Sequence, residues 1–345
     1  MLHRASTVHL LYNSTASGVQ TGEPSRFLAQ LELLPQAQHK IEHQVLHNSS
    51  NLNAPKTQEF PKTSGVTQRL SEWAQKGVSP SALTSYLRDP LQFYERYVLQ
   101  LKPPQTWSLV MDPRESGTLL HDVLEVLYTP YRNDVLTDVQ LVKMEANFEG
   151  LLVEQYRKMH GGNPKRHGKN HLIFEALKAH GKALLAYEKK QISAGHELKI
   201  IALEQEVTHS IQLASGEPVR LNGIIDRVDY FDGQLRIIDY KTGKIEGADL
   251  KIKQWNTFLE NTTAAAFQLL TYALMYTQQQ PVPTAGIYAL QNTNAPFFPL
   301  FVPEHTTTKT PQQLSTPSLK QFEIRLLQLL EEIMNTALPF TASKN

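Results

Sequence analysis

The stretch LNGIIDRVDYFDGQLRIIDYKTG, residues 221–243, decides the fold of this chain. It contains two apolar runs, Leu221–Tyr230 and Leu235–Tyr240, joined by four residues that include an Asp-Gly pair. An Asp-Gly pair between two β-branched runs predicts a β-hairpin. Each run also contains an Ile-Ile pair, which breaks the alternation of apolar and polar residues. We therefore expect both faces of the hairpin to be covered, as in the middle of a sheet.

Two carboxylates and one amine lie inside this hairpin. Asp226 and Asp239 each follow an Ile-Ile pair, and folding at the Asp-Gly turn places them near each other. Lys241 is two residues beyond Asp239, so its side chain leaves an extended strand on the same face. A buried carboxylate is costly unless it is paired or bound to a metal. The three groups therefore predict a site for Mg²⁺ or Mn²⁺, which prefer oxygen ligands. The alternative is a surface hairpin in which Asp226-Arg227 and Asp239-Lys241 are ordinary ion pairs.

The composition is that of a globular protein with a large core. The 345 residues are 41% hydrophobic and 19% charged, with 34 Lys and Arg against 33 Asp and Glu, so the net charge is +1. Any nucleic-acid site must therefore be a local basic patch. The chain has no Cys, which excludes disulfides, thiolate-held metals and a thiol nucleophile. No apolar run reaches the ~18 residues of a membrane span, and no signal-peptide core is present, so we expect no membrane partner and a cytoplasmic location.

The remaining segments predict helices on both sides of the hairpin and further strands around it. Ser79 is a predicted helix cap, with Pro80 at the first helical position. Helices are predicted at 82–89, 91–99, 115–128, 136–160, 170–193, 263–278 and 318–335, and strands at 198–213, 284–290 and 297–302. Residues 35–65 have the composition of a linker. This order predicts an α/β (α+β) fold with a mixed central sheet flanked by helices.

Six short motifs in a fixed order resemble the RecB-type PD-(D/E)xK nucleases, which include the AddB-type C-terminal nuclease domains. The motifs are Ser79-Pro80-Ser81 with Tyr86, Phe93-Tyr94 with Val98-Leu99, Gly117 with His121, Gly223 to Asp229, Ile238 to Gly243, and Gln268 to Tyr272. The two acids are 13 positions apart (239 − 226). The resemblance implies a restriction-endonuclease-like sheet with additional N-terminal helices.

The resemblance also implies a role for each matching residue. It implies that His121, Asp226 and Asp239 are metal ligands, with the carbonyl of Tyr240 beside them, that Lys241 positions or activates the attacking water, and that Gln268 and Tyr272 position the catalytic groups or the DNA strand. A lone His on a helix is otherwise more often a structural residue. Glu204 or Glu206 is a candidate for a further carboxylate, although we expect both to face solvent. Arg227 and Asp229 are expected to support the site structurally.

One departure from the family pattern concerns a cofactor. Many AddB-type domains have Cys-Pro where this chain has Asp89-Pro90, and further cysteines near the C-terminus that hold an iron–sulfur cluster. Without Cys, this chain is expected to have no such cluster and to close the domain by apolar packing. Residues 1–65 resemble the end of a helicase-like region plus a linker, and residues 66–345 the nuclease domain. The N-terminal resemblance suggests that this chain is the C-terminal piece of a much longer polypeptide.

The function implied is metal-dependent hydrolysis of DNA, as an exonuclease acting on a single strand or a duplex end in double-strand-break repair and recombination. The chain has no G-x-x-x-x-G-K-[ST] loop, so a helicase or motor subunit is the expected partner. Two alternatives stay open. One is a catalytically silent DNA-binding or scaffolding module of the same complex, and the other is a restriction-like endonuclease that recognises sequence.

Overall fold

The computed structural model describes residues 7–11, 25–34, 40–45, 59–102, 110–160, 168–278, 281–305 and 313–342. The chain forms two compact units, Met1–Lys56 and Thr57–Asn345. The first unit contains helix α1 (Arg26–Leu33), in which no residue is buried. Within the described ranges, no helix is both long enough and apolar enough to cross a membrane. The part of the N-terminal resemblance on residues 12–24 lies outside the described residues.

The helices of the second unit surround a central sheet. They are α2 (Ser64–Lys76), α3 (Pro80–Arg88), α4 (Pro90–Phe93), α5 (Pro113–Tyr128), α6 (Asp138–His160), α7 (Lys169–Ser193), α8 (Phe258–Asn261), α9 (Ala264–Thr277) and α10 (Thr316–Met334). The α4 helix continues directly into a π-helical turn, Tyr94–Val98. Ser79 caps α3 as predicted, since its side chain accepts a hydrogen bond from the backbone N–H of Ala82.

The strands form one central sheet and one small sheet. They are β1 (Glu59–Phe60), β2 (Leu198–Gln212), β3 (Pro218–Phe231), β4 (Gln234–Lys241), β5 (Thr284–Ala289), β6 (Phe297–Pro299) and β7 (Phe340–Thr341). The central sheet has the order β2-β3-β4-β5-β6, and β1 pairs with β7. In the central sheet β4 and β5 run parallel, while the other neighbours are antiparallel. The predicted mixed sheet flanked by helices is confirmed.

β3 and β4 are the two strands of the predicted hairpin. Asp232 and Gly233 have φ values of 50° and 75°, and positive φ at both central positions is the pattern of a type I′ turn. Above the turn the register runs from Phe231 opposite Gln234 to Arg227 opposite Ile238. The hairpin is therefore confirmed, and its register directs Asp226 and Asp239 toward the same place.

Both faces of the sheet are covered, as the paired isoleucines predicted. Ile237 belongs to a core shared with α2, α3, α4, α9 and α10. Ile238, the next residue, belongs to a second core shared with α5, α6 and α7. Successive strand residues point to opposite faces, so each member of the pair supplies one core.

Regular structure begins earlier in the chain than the composition indicated. β1 and α2 lie where a linker and the resumption of folding near Ser79 were expected. Only Val66, Leu70 and Ala74 of α2 are buried. This apolar stripe recurs every four residues and is sparse among polar neighbours, so the segment resembles a linker in composition. The expected division at 65/66 falls within α2, whereas the compact unit begins at Thr57.

A cluster of aromatic rings, here called the aromatic clasp, joins the two ends of the second unit. Phe340 of β7 stacks on Tyr94 with ring centroids 4.9 Å apart. Its centroid lies 6.0 Å from that of Phe93 and 6.4 Å from that of Tyr86. Phe340 and Phe93 are both fully buried. The packing that holds these two ends together is thus apolar, as expected for a chain without Cys.

Asp89 occupies the place where the related domains have a cysteine. Its carboxylate caps α4 by accepting hydrogen bonds from the backbone N–H groups of Leu91 and Gln92, at 3.0 Å and 3.3 Å. This is the ordinary role of Asp before a Pro-initiated helix. The residue is structural here, and the chain offers no thiolate for an iron–sulfur cluster.

Candidate active site

The site forms where β3 and β4 separate. Their paired register ends at Arg227 and Ile238, so the main-chain groups of Tyr240 that face β3 need other partners. The N–H of Tyr240 donates to Asp226 Oδ2 at 2.7 Å. His121 of α5 supplies the other partner, since its Nε2 lies 3.1 Å from Tyr240 O. Two side chains therefore replace the missing strand, and both are fixed by one residue of β4.

Asp239 and Lys241 meet the polar face of α9. Lys241 Nζ lies 2.8 Å from Asp239 Oδ2 and donates to Gln268 Oε1 at 3.0 Å. The amide nitrogen of Gln268 donates to Asp239 Oδ1 and to the hydroxyl of Tyr272, both at 2.9 Å. The network itself assigns the amide orientation, because the oxygen faces the cation and the nitrogen faces the acceptors. Gln268 thus connects the strand groups to the helix.

Tyr272 reaches this network because Gly223 leaves room for its ring. A Cβ on Gly223 would lie 2.6 Å from Cε1 of Tyr272 and 3.1 Å from Cε of Met275. Both distances are shorter than ordinary van der Waals contact. The glycine of the Gly223 to Asp229 motif therefore serves close packing between β3 and α9.

Glu204, unlike Glu206, belongs to the site. Its Oε1 lies 4.0 Å from His121 Nδ1, and ligand atoms of His121, Glu204 and Asp226 all lie within 4.8 Å of one another. The expectation that both glutamates face solvent is therefore wrong for Glu204, while Glu206 is exposed. The register between β2 and β3 shifts just before Glu204, whose φ is 45°. Such an irregularity turns a side chain away from the face that strict alternation predicts.

The electrostatics of the site favour a bound cation. Burial raises the pKa of Asp226 well above its ordinary value, and the nearby Asp239 carboxylate raises it further. Burial, together with the charges of Glu125 and Asp122, raises the pKa of Glu204 to about 7. These carboxylates are thus crowded and incompletely compensated in the protein alone. A divalent cation would relieve that repulsion.

His121 and Lys241 have the protonation states that such a site needs. Burial lowers the pKa of His121 despite the nearby Asp239, so its imidazole is neutral and has a lone pair for a ligand. Burial alone would lower the pKa of Lys241, but the Asp239 carboxylate outweighs it and the net pKa is raised. Lys241 therefore carries its charge at neutral pH and is a hydrogen-bond donor.

The donor set fits Mg²⁺ or Mn²⁺. It consists of carboxylate oxygens, one imidazole nitrogen and the main-chain oxygen of Tyr240, which is a chemistry that these ions accept. In an octahedral site with ligands about 2.1 Å from the ion, adjacent ligand atoms are about 3 Å apart. The 3.1 Å between His121 Nε2 and Tyr240 O matches that spacing. Asp239 lies beside this group, with its oxygens turned to Gln268 and Lys241.

A buried ionic network lies behind the site, on the other face of the sheet. Arg227 is fully buried and donates to Glu188 Oε1 at 2.6 Å, to Asp229 Oδ2 at 2.7 Å and to the hydroxyl of Tyr240 at 3.2 Å. Arg236 contacts both oxygens of Asp229, at 2.7 Å and 2.9 Å. Arg227 and Asp229 thus lie where a supporting role requires them. Glu188 of α7 was not predicted, because nothing in the helical pattern distinguishes it from a surface glutamate.

The structure therefore brings all seven predicted site residues to one place. They are His121, Asp226, Asp239, Tyr240, Lys241, Gln268 and Tyr272. Glu204 joins them, and Glu206 does not. The metal-binding and catalytic roles of these residues stay predictions.

Comparison with known proteins points in the same direction. A family model described as the PD-(D/E)XK nuclease superfamily matches residues 77–345. The chain is 30% identical over 206 residues to AddB, a subunit of the ATP-dependent helicase/deoxyribonuclease, from Acetivibrio thermocellus, covering 56% of this chain and 17% of the relative. It is 29% identical over 180 residues to the same subunit of Streptococcus equi subsp. zooepidemicus, covering 51% of this chain and 15% of the relative. For the Clostridium tetani subunit the identity is 29% over 184 residues, with 48% and 15% covered. The chain thus spans only a small part of the length of these relatives.

Proposed function

This chain belongs to the PD-(D/E)XK nuclease superfamily, and from that premise we propose that it is a deoxyribonuclease that uses Mg²⁺ or Mn²⁺ to hydrolyse phosphodiester bonds. One observation carries the proposal. Asp226, Asp239 and Lys241 converge at the point where β3 and β4 separate, with His121 from α5 and Gln268 from α9 on either side. A structural hairpin with surface ion pairs would leave these groups exposed, whereas Asp226 and Asp239 are buried.

Each residue has a role in the proposed reaction. Asp226, Glu204, Asp239, His121 and the carbonyl of Tyr240 would hold the cation. A bound divalent cation stabilises charge on a phosphoryl oxygen and lowers the pKa of a coordinated water.

Lys241 would orient the attacking water and stabilise charge on the phosphate. Its ammonium has three donors, and Asp239 and Gln268 use two of them, so one remains for water or a phosphate oxygen. Because its pKa is raised, Lys241 does not accept the proton of the water. Gln268 and Tyr272 would hold Lys241 and Asp239 in register with each other.

We further propose that the chain acts with a helicase subunit as an exonuclease on DNA ends. The support is the name of the relatives, which are subunits of an ATP-dependent helicase/deoxyribonuclease. The chain has no G-x-x-x-x-G-K-[ST] loop of its own, so a motor would have to be supplied by another polypeptide or another region. A role in double-strand-break repair and a cytoplasmic location belong to the same proposal.

The test is degradation of linear DNA with and without Mg²⁺ by the wild type and by Asp239→Ala and Lys241→Ala. We expect both variants to lose at least about a hundredfold in rate, because each removes a group that acts on the transition state. The matched controls are Asp134→Ala and Lys320→Ala, which change exposed residues of the same types and should keep the wild-type rate. Full activity in both site variants would overturn the assignment.

The same assay separates the two alternatives. DNA binding without metal-dependent cleavage, also in the presence of a helicase partner, would indicate a scaffolding module. Cleavage of closed circular DNA at defined positions would indicate an endonuclease that recognises sequence. An exonuclease requires an end and leaves the circle intact.

A further inference from the structure

A groove of about 520 Å³ runs alongside the candidate active site. Gln268 and Tyr272, which bind each other and Asp239, form one of its walls. Lys76 and Arg220 also line the groove. The groove is thus continuous with the site but has a different chemical character.

The fold brings the two cations to this place through one short main-chain contact. Beyond the end of its pairing with β4, β3 has a free edge, and Val78 pairs there in parallel with Leu221. The N–H of Val78 donates to Arg220 O at 2.7 Å, and the N–H of Asn222 donates to Val78 O at 3.0 Å. This contact fixes the end of α2, with Lys76, against the strand that carries Arg220.

The charges of the groove suit a nucleic-acid backbone. Lys76 and Arg220 are exposed, and within the described part of the chain neither forms an ion pair with a carboxylate. One carboxylate, Glu206, also lines the groove, so two cations face one anion. The metal site next to it has the opposite balance. Phosphates are attracted by unpaired Lys and Arg, and their contacts position the strand without reading its sequence.

An exposed apolar side chain adds a contact of a different kind. Ile224 lies in the groove with 46% of its surface exposed, although it directly precedes the buried Ile225 and Asp226. Solvated strand positions rarely need an isoleucine for stability. Its location between the cations and the site suits packing against the apolar face of an unstacked base or a sugar.

We propose that this groove binds the single-stranded DNA next to the scissile phosphate. Lys76 and Arg220 contact backbone phosphates, and Ile224 packs against a base or sugar. The volume is that of a small-molecule site, which accepts a short stretch of one strand and not a duplex. The inference rests on the proposed nuclease function, because that function places DNA at the neighbouring metal site.

The experiment measures binding of a fluorescent oligothymidylate by anisotropy, in Mg²⁺ and in an Asp239→Asn background that keeps the probe intact. Affinity is determined over a series of salt concentrations for the background protein and for one carrying Lys76→Gln and Arg220→Gln as well. We expect the groove variant to bind about tenfold or more weakly at 0.1 M salt. The slope of log affinity against log salt should become shallower by about 1.4, since each lost phosphate contact on a single strand contributes about 0.7.

Matched controls remove the same residue types elsewhere. Lys143→Gln with Lys320→Gln deletes two exposed lysines outside the groove and should leave the salt slope unchanged. Ile224→Ser should weaken binding at least about threefold without changing the slope, whereas Ile324→Ser, at a 41% exposed isoleucine of α10, should have no effect. Circular dichroism and thermal melting establish that each variant is folded.

The outcomes separate this inference from the proposed function. If the wild type cleaves DNA but the groove variants bind and cleave like it, the groove assignment is overturned and the nuclease stands. If the wild type does not cleave, and binding still depends on Lys76 and Arg220, the groove assignment holds for a DNA-binding module. No binding of the oligothymidylate, or tighter binding of a duplex of equal length, would overturn the single-strand assignment.

Discussion

Tyr240 shows how one strand residue arranges several groups of the site. Its N–H holds Asp226 and its C=O meets His121, both within the plane of the sheet. Its side chain lies on the opposite face from Asp239, where its hydroxyl accepts from Arg227. Main chain and side chain leave a strand in different directions, so a single residue couples the candidate metal site to the buried network behind it.

At this scale Gly223→Ala is expected to damage the site without unfolding the protein. The new Cβ would lie 2.6 Å from the ring of Tyr272, so the ring must shift and its hydrogen bond with Gln268 must lengthen. Misplacement of positioning groups by about 1 Å can cost about a hundredfold in rate. Single-turnover cleavage of labelled DNA should therefore slow by about tenfold to a hundredfold.

Gly150→Ala is the matched control, because nothing lies within 4 Å of a Cβ there. It should keep the wild-type rate and gain slightly in helix stability. An unchanged rate in Gly223→Ala would mean that Tyr272 is free to move and does not position Gln268.

Some residues of the site follow from sequence, and others do not. Asp226, Asp239 and Lys241 follow from the hairpin register and the alternation of side chains, and the structure brings them together as expected. Glu204 required the irregularity of β2, which leaves no signature in the residue types. Glu188 required the packing of α7, which a helical period does not specify.

Among the elements, β3 is the one that does opposite work on its two faces. One face presents Asp226 to the site, and the other presents Arg227 and Asp229 to an ionic network with Glu188 and Arg236. Burial on its own would raise the pKa of Asp229, but the guanidinium groups of Arg236 and Arg227 outweigh it and hold that pKa below its usual value. The network is therefore ionised, and each charge depends on its partner.

Arg227→Met is expected to destabilise the second unit by about 3–5 kcal/mol. The substitution leaves the carboxylate of Glu188 buried without its cation, and breaking one side of a buried ion pair has a cost of that size. Urea unfolding at neutral pH measures the change. Arg220→Met, on the same strand but exposed, should change stability by less than about 0.5 kcal/mol. Equal effects of the two substitutions would show that the buried network contributes little.

Elements with a strong period were predictable, and those held by tertiary contacts were not. α5 and α10 have clear amphipathic patterns and were identified within a few residues. α2 has three buried residues among thirteen, so its helical order depends on the sheet and helices beneath it. The segment Tyr94–Val98 was expected to continue an α-helix, but it forms a π-helical turn that places Tyr94 against Phe340.

For the molecule as a whole, the aromatic clasp and Lys62 join the first and last segments of the second unit. Lys62 Nζ donates to the main-chain oxygens of Glu332 and Asn335 at the end of α10, at 3.1 Å and 2.9 Å. It also lies 4.8 Å from the centroid of the Phe340 ring. Burial lowers the pKa of Lys62 to about 8, although the nearby Glu332 carboxylate opposes the change.

This pKa predicts that wild-type stability rises with pH relative to Lys62→Met between about pH 8 and 10.5. In that window the unfolded chain still binds the proton that the folded protein has lost, so the free energy of unfolding increases with pH. The slope for one group is at most about 1.4 kcal/mol per pH unit. Urea unfolding of both proteins at pH 7, 8, 9 and 10 gives the difference, in which titrations common to both cancel.

Lys320→Met is the control, because Lys320 is exposed on α10. Its stability difference from the wild type should be constant over the same range. A constant difference for Lys62→Met as well would show that Lys62 keeps its ordinary pKa in the folded protein.

The aromatic clasp has a consequence for handling and for physiology. A closure built from the rings of Phe340, Tyr94, Phe93 and Tyr86 contains no metal–sulfur bond that air or peroxide could attack. Purification on an open bench should leave this closure intact, and growth under iron starvation should not reduce its yield. The clasp thus separates the integrity of the nuclease region from the redox state of its surroundings.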